Sequence, residues 1–329
     1  MEYVAAGEIY LKHNECGHIF RKRLTSIKAS GGIKCPDCNP LDSVGVLKII
    51  EYLDKNNVPY ISFKYMIDGT EYYDDMGKNI SSDKFFKMIE DGAEPVTSQI
   101  NSERYINFWE PFLEKGEDIL HICLSSGLSG SYNSAMLAKS YLEEKYPNAK
   151  LYVVDSLGAS SGSGLLIKYL IDLRDSDTSI EDSFKWAEEN KLNIHHWFIS
   201  TDLTSYRRGG RISSTSFFLG QLLKICPLMN MDYNGKLIPR KKIRTKEKAI
   251  KELVNMMESN ANEGLDYQGK CCICHSACIE DAKKVKTLVE EKFLKLKDKV
   301  EIYNIGTVIG SHSGPGTVAL FFMGSKRID

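Results

Sequence analysis

No stretch of this sequence reaches the ~18 consecutive apolar residues that a membrane-spanning helix needs. Its first residues, Met1-Glu2-Tyr3-Val4-Ala5-Ala6-Gly7-Glu8, lack the basic start and apolar core of a secretory signal. Charge of one sign is missing too. With 43 Lys and Arg against 44 Asp and Glu, the net charge is −1, so no overall basic excess calls for nucleic acid. An even set of cysteines is also absent. There are nine, several crowded into Cys271-Cys272-Ile273-Cys274, which argues for reduced thiols in a cytoplasm rather than a disulfide framework. No phosphate loop G-x-x-x-x-G-K-[ST] and no G-x-G-x-x-G opening a sheet occur, and we expect no nucleophile elbow G-x-S-x-G.

What is present is organised around Asp118 to Ser131. Ile119 to Leu124 has the length and composition of a buried parallel strand. Ser125-Ser126-Gly127-Leu128-Ser129-Gly130-Ser131 follows, and then a helical pattern closed by Pro147. A strand, a turn of small residues and a helix present hydroxyls and free N–H groups to an anion at the carboxyl end of a sheet. A Ser/Gly turn that merely caps its helix gives the same pattern.

Residues 1–41 read differently. His13, Cys16 and His18, then Cys35-Pro36-Asp37-Cys38, form two knuckles that can close a tetrahedral zinc site. Cys16, Cys35 and Cys38 supply three thiolates. The fourth ligand is His13 or His18, and His13 gives the matching H-x-x-C spacing. The segment is similar to the small zinc ribbons carried by many unrelated proteins, which serve structure or protein contacts.

From Asp42 onward the chain alternates helices and strands, the pattern of an α/β fold with a parallel sheet covered on both faces. The spacing predicts a helix over Val46–Lys55, a strand over Val58–Phe63, a hairpin turn at Asp68-Gly69 and an extended Thr97-Ser98. Beyond residue 175 the pattern becomes that of a second α/β domain, with an apolar helix at Phe217–Leu223 and a hairpin at Asn234-Gly235. The domains are thus 1–41, 42–174 and 175–329.

Four polar clusters fall at predicted strand ends: Thr97-Ser98, Ser125-Ser126, Arg207 to Arg211, and His312 among glycines. Together they suit one anion site, with hydroxyls facing guanidinium and imidazole groups. Each alone has a plainer use as a helix cap, a solvated turn or a structural histidine. Cys271, Cys272, Cys274 and Cys278 read as buried strand residues rather than metal ligands, because neighbours on a strand point to opposite faces.

These motifs, Thr97-Ser98-Gln99, Leu124 to Tyr132, Arg208-Gly209-Gly210-Arg211-Ile212 and Ile309 to Thr317, resemble those of the DegV family of bacterial fatty-acid-binding proteins. The resemblance spans about residues 42 to 329. It implies two α/β domains, the second with a mixed sheet, enclosing an acyl chain whose carboxylate is held by Thr97, Ser98, Ser125 and Ser126. Arg208 and His312 match the family's Arg and His near the head group. The resemblance further implies a non-catalytic subunit that presents its fatty acid to a separate ATP-dependent kinase, which makes acyl phosphate. A phosphotransfer or hydrolase enzyme built on the same serines and His312 is the alternative, and a zinc-ribbon nucleic-acid or protein adaptor with a degenerate lipid domain is another. The family's opening strand ends in Asp-Ser-Thr. Here Asp42-Ser43-Val44 aligns with that ending, but the proline-broken Cys35 to Pro40 precedes it, so the first strand of the sheet is expected to be missing.

Overall fold

The computed structural model describes residues 4–5, 8–12, 19–23, 46–47, 49–75, 77, 80–212 and 225–329. The chain divides into two compact units, residues 1–48 and 49–329. In the first unit β1 (Val4–Ala5), β2 (Glu8–Lys12) and β3 (Ile19–Arg23) form an antiparallel sheet in that order, with Glu8 opposite Arg23 and Lys12 opposite Ile19. His13, Cys16, His18, Cys35 and Cys38 lie outside the described residues. So does the helix expected at Phe217–Leu223.

Val46–Leu47 is a short strand, β4, and helix α1 runs from Ile49 to Lys55. The helix therefore starts three residues later than the pattern suggested. The expected strand at Val58–Phe63 is also displaced, to β5 (Lys64–Ile67) and β6 (Thr70–Tyr73). Asp68 and Gly69 form the two-residue turn with φ of 49° and 78°, the conformation of a tight hairpin. That turn puts Ile67 opposite Thr70 and lets the ladder run back only to Lys64 and Tyr73. Pro59, which has no N–H to give, stays outside it. After α2 (Ser82–Glu90), β7 (Val96–Ser98) pairs with the other edge of β5, Tyr65 lying opposite Thr97.

Helix α3 (Ser102–Leu113) leads to β8 (Ile119–Cys123), α4 (Ser131–Lys145), β9 (Leu151–Asp155), α5 (Ser161–Asp175) and α6 (Ile180–Asn190). β8 and β9 are parallel, in register from Ile119–Leu151 to Cys123–Asp155, and form a sheet of two strands. Tyr105, Trp109, Ala135, Ala138, Leu142 and Val153 bury together in a core of their own.

The remaining elements are β10 (Ile194–Ser200), α7 (Thr204–Arg208), β11 (Cys226–Met231), β12 (Leu237–Ile243), α8 (Lys246–Asn260), β13 (Cys271–His275), α9 (Ile279–Lys292), β14 (Glu301–Asn304), α10 (Thr307–Ser313) and β15 (Thr317–Met323). Their sheet runs β12-β11-β10-β15-β13-β14. β13 and β14 are parallel and the other neighbours antiparallel, so the sheet is mixed. Cys271 to His275 is entirely buried, as a strand with both faces covered requires. Leu165, Leu166 and Leu170 of α5 share one core with Phe198 and Phe321 of this sheet. The buried Arg327 guanidinium donates to Leu157 O (2.9 Å) and Asp232 O (3.0 Å), tying the loop after β9 to the hairpin between β11 and β12.

Candidate functional site

A cavity of about 280 Å³ opens among β7, the turns after β8 and β9, α10 and the inner face of the mixed sheet. Phe63, Leu128, Phe198, Met231, Val308 and Phe321 give it apolar walls, and Thr97, Ser129, Ser160, Arg211 and His312 add polar groups.

At its polar heart Thr97 Oγ1 lies 2.8 Å from His312 Nε2. Which of the two donates depends on the ring tautomer. The other ring nitrogen, Nδ1, is buried with no hydrogen-bond partner among the described residues. It faces the backbone at Gly209, where a Cβ would collide with it. Gly209 of the basic turn is thus a matter of space for the imidazole. Burial, and after it the charges of Arg211 and Arg208, hold His312 down at a pKa of about 4, so the ring is neutral at pH 7. Arg211 donates from Nε to Leu128 O (3.2 Å) and from Nη1 to Gly209 O. Burial pulls its pKa down.

The six residues singled out for the head group are placed unequally. Thr97, Ser98 and His312 line the cavity, and Ser125, Ser126 and Arg208 do not. Ser125 is fully buried and donates to Gly235 O at 2.8 Å, which seats the serine turn on the β11–β12 hairpin. The exposed Ser126 gives its N–H to Asp155 Oδ1 at 3.1 Å. Arg208 is exposed and reaches Glu94 Oε1 at 3.4 Å.

Ser129 and Ser160 line the cavity without having been singled out, and so does Arg211, named before only within the basic cluster Arg207 to Arg211. The signal for Ser160 was legible. Gly158-Ala159-Ser160-Ser161-Gly162 spells the elbow pattern G-x-S-x-G, contrary to the expectation of none. It joins a strand to a helix, and Ser160 carries the strained φ 53°, ψ −139° of such a turn. Catalysis at an elbow needs a base in reach. Ser160 Oγ lies 3.4 Å from Cys274 Sγ. The nearby His196 turns Nε2 to the Ala159 N–H (3.3 Å) and Nδ1 to Ile194 O (3.0 Å). A serine partnered by a thiol that burial pushes up to about 11 is not activated.

Burial depresses His121 and His195 to about 4 as well, and His196 further below its ordinary value of 6.5. The unfolded chain therefore takes up protons on these rings before the folded one does. Stability is fully present above pH 6.5 and is lost as the pH falls toward 4. His121 and His195 should each remove about 1 kcal/mol per pH unit in that window. Urea unfolding at pH 7.5, 6 and 4.5 checks this, and unchanged midpoints would contradict it.

Residues 42–325 match the family model described as uncharacterised protein, DegV family. A DegV domain-containing protein of Clostridium perfringens is 37% identical over 274 residues, 82% of this chain and 92% of its own length. Among solved structures, a DegV lipid-binding protein from Thermotoga maritima is 26% identical with a TM-score of 0.72, covering 84% of this chain and 95% of that one. The fatty acid kinase (Fak) B3 protein of Streptococcus pneumoniae, loaded with linoleic acid, shares the fold at 19% identity and a TM-score of 0.71, over 80% of this chain and 90% of that one.

Proposed function

This chain belongs to the DegV family, and on that premise we propose that it binds a long-chain fatty acid and presents its carboxylate to a separate ATP-dependent kinase subunit. The observation that carries the reading is an apolar cavity with a neutral imidazole, a hydroxyl and a guanidinium on its wall. A hydrocarbon chain gains from the apolar walls. A carboxylate, costly to bury unpaired, takes hydrogen bonds from Thr97, Ser98, His312 and the guanidinium of Arg211. Ser125 and Ser126 serve the same site by fixing the serine turn, and Arg208 by its charge at the rim. The acyl chain lies between the α/β halves 42–174 and 175–329.

Phosphorylating a carboxylate needs a nucleotide site, magnesium and groups that position the γ-phosphate. The sequence has no phosphate loop, and the Ser160 hydroxyl rests on the Cys274 thiol while His196 Nε2 is taken by the Ala159 N–H, which weighs against the hydrolase alternative. On spacing alone we also propose a zinc ion held by Cys16, Cys35, Cys38 and His13. Among the described residues no helix is long and apolar enough to cross a membrane.

The test is mass spectrometry of lipid extracted from the purified protein, followed by incubation with ATP, magnesium and fatty acid. About one long-chain fatty acid per chain and no acyl phosphate without an added kinase are expected. Absence of fatty acid after supplementation, or acyl phosphate from the protein alone, would overturn the proposal.

A further inference from the structure

Helix α10 carries His312, yet it has no cap of its own. The residue before its first turn is Gly306, with no side chain to accept from the helix N–H groups. Seven residues make a helix that is marginal by itself. Its free donors are met from far away in the chain. Asp74 Oδ1 accepts from the Thr307 N–H at 3.2 Å, and Oδ2 from the Val308 N–H at 3.0 Å. A carboxylate there also complements the positive end of the helix.

Asp74 is in turn fixed to the small antiparallel sheet. It follows Tyr73, the last residue of β6, and its own N–H donates to Phe63 O at 2.9 Å. The same sheet supplies Thr97, on β7. One rigid sheet therefore holds α10 at both ends, through Asp74 at Thr307 and Val308 and through Thr97 at His312. Between these ends Gly310 lies against the rings of Phe86 and Phe85 of α2, and Val308 packs into the same core.

We propose that Asp74 is a positioning residue for the head-group site, which clamps the N-terminus of α10 and thereby sets His312 against Thr97. The assignment rests on the fatty-acid-binding reading above. Asp74 does not line the cavity. Its influence on a ligand must pass through α10 and the imidazole that the helix carries.

The experiment is a double-mutant cycle on delipidated protein, with oleate binding measured by titration calorimetry for the parent, Asp74→Ala, His312→Ala and the double variant. Asp74→Ala is expected to weaken oleate binding about tenfold in the parent and by less than about twofold once His312 is gone. Asp74→Asn, which keeps an acceptor suited to a helix N-terminus, should restore most of the parent affinity. Should Asp74→Ala fail to fold, the cycle is run with Asp74→Asn, whose smaller loss should again vanish in the His312→Ala background. Equal losses in both backgrounds, or no loss in a folded variant, would overturn the assignment. A parent protein that does not bind oleate at all would instead refute the functional reading.

Discussion

His312→Ala is expected to weaken long-chain fatty acid binding by about ten- to a hundredfold while leaving the fold intact. A hydrogen bond to a charged group is worth about 1.5–3 kcal/mol, and each 1.4 kcal/mol is a factor of ten in affinity. The ring is held neutral beside Arg211 and Arg208, and its Nε2 shares the site with Thr97 Oγ1 at 2.8 Å. Binding a carboxylate there places an anion beside the guanidinium of Arg211, which lines the same cavity. Folding depends on the residue much less. His312 Nδ1 is already buried without a partner among the described residues, so removing it relieves a desolvated polar atom as well as losing contacts. Titration of delipidated variants with oleate, beside their melting temperatures, separates the two effects. Affinity within twofold of the parent would mean that the carboxylate binds elsewhere.

Ala319→Leu should be as damaging to the ligand, by a different route. Ala319 sits on β15 near the middle of the mixed sheet, opposite Phe198 on one side and Cys274 on the other, and it lines the cavity. Three added carbons enter space that the acyl chain needs. Overfilling a packed site costs about 1–3 kcal/mol, which appears here as a five- to hundredfold loss of long-chain affinity. The empty protein pays little of that, because the cavity of about 280 Å³ can take the new side chain. A variant that melts like the parent but no longer copurifies with fatty acid is the expected result. Unchanged loading would place the chain outside this cavity.

Much of this was legible because strands and turns obey local rules. The Cys271–His275 strand, the Asn234-Gly235 hairpin and the strand–turn–helix at Ile119 to Lys145 were readable from apolar runs and turn residues. Thr97 and His312 could be named because rare polar motifs stood at predicted strand ends and resembled those of the family. Their contact, across 215 positions of sequence, follows from tertiary packing alone. Ser125 illustrates the opposite failure. Its hydroxyl suits an anion, but the hairpin carbonyl of Gly235 takes it, and nothing local announces that partner. Helix α10 was unreadable for a related reason. Gly310, Gly314 and Gly316 argue against a helix, and its cap comes from Asp74, 233 residues away. The expected loss of the family's first strand falls on Cys35 to Pro40, which lie outside the described residues.

The account rests on where the carboxylate lies, and fatty acid labelled with ¹³C at its carboxyl carbon reports that directly. Bound to the parent protein, the label should give one resonance distinct from free fatty acid. That resonance should move in each of Thr97→Ala, Arg211→Ala and His312→Ala, and move much less in Arg208→Ala, whose exposed side chain acts only by its charge from outside the cavity lining. A bound resonance that is the same in the parent and in the Thr97, Arg211 and His312 variants would contradict it.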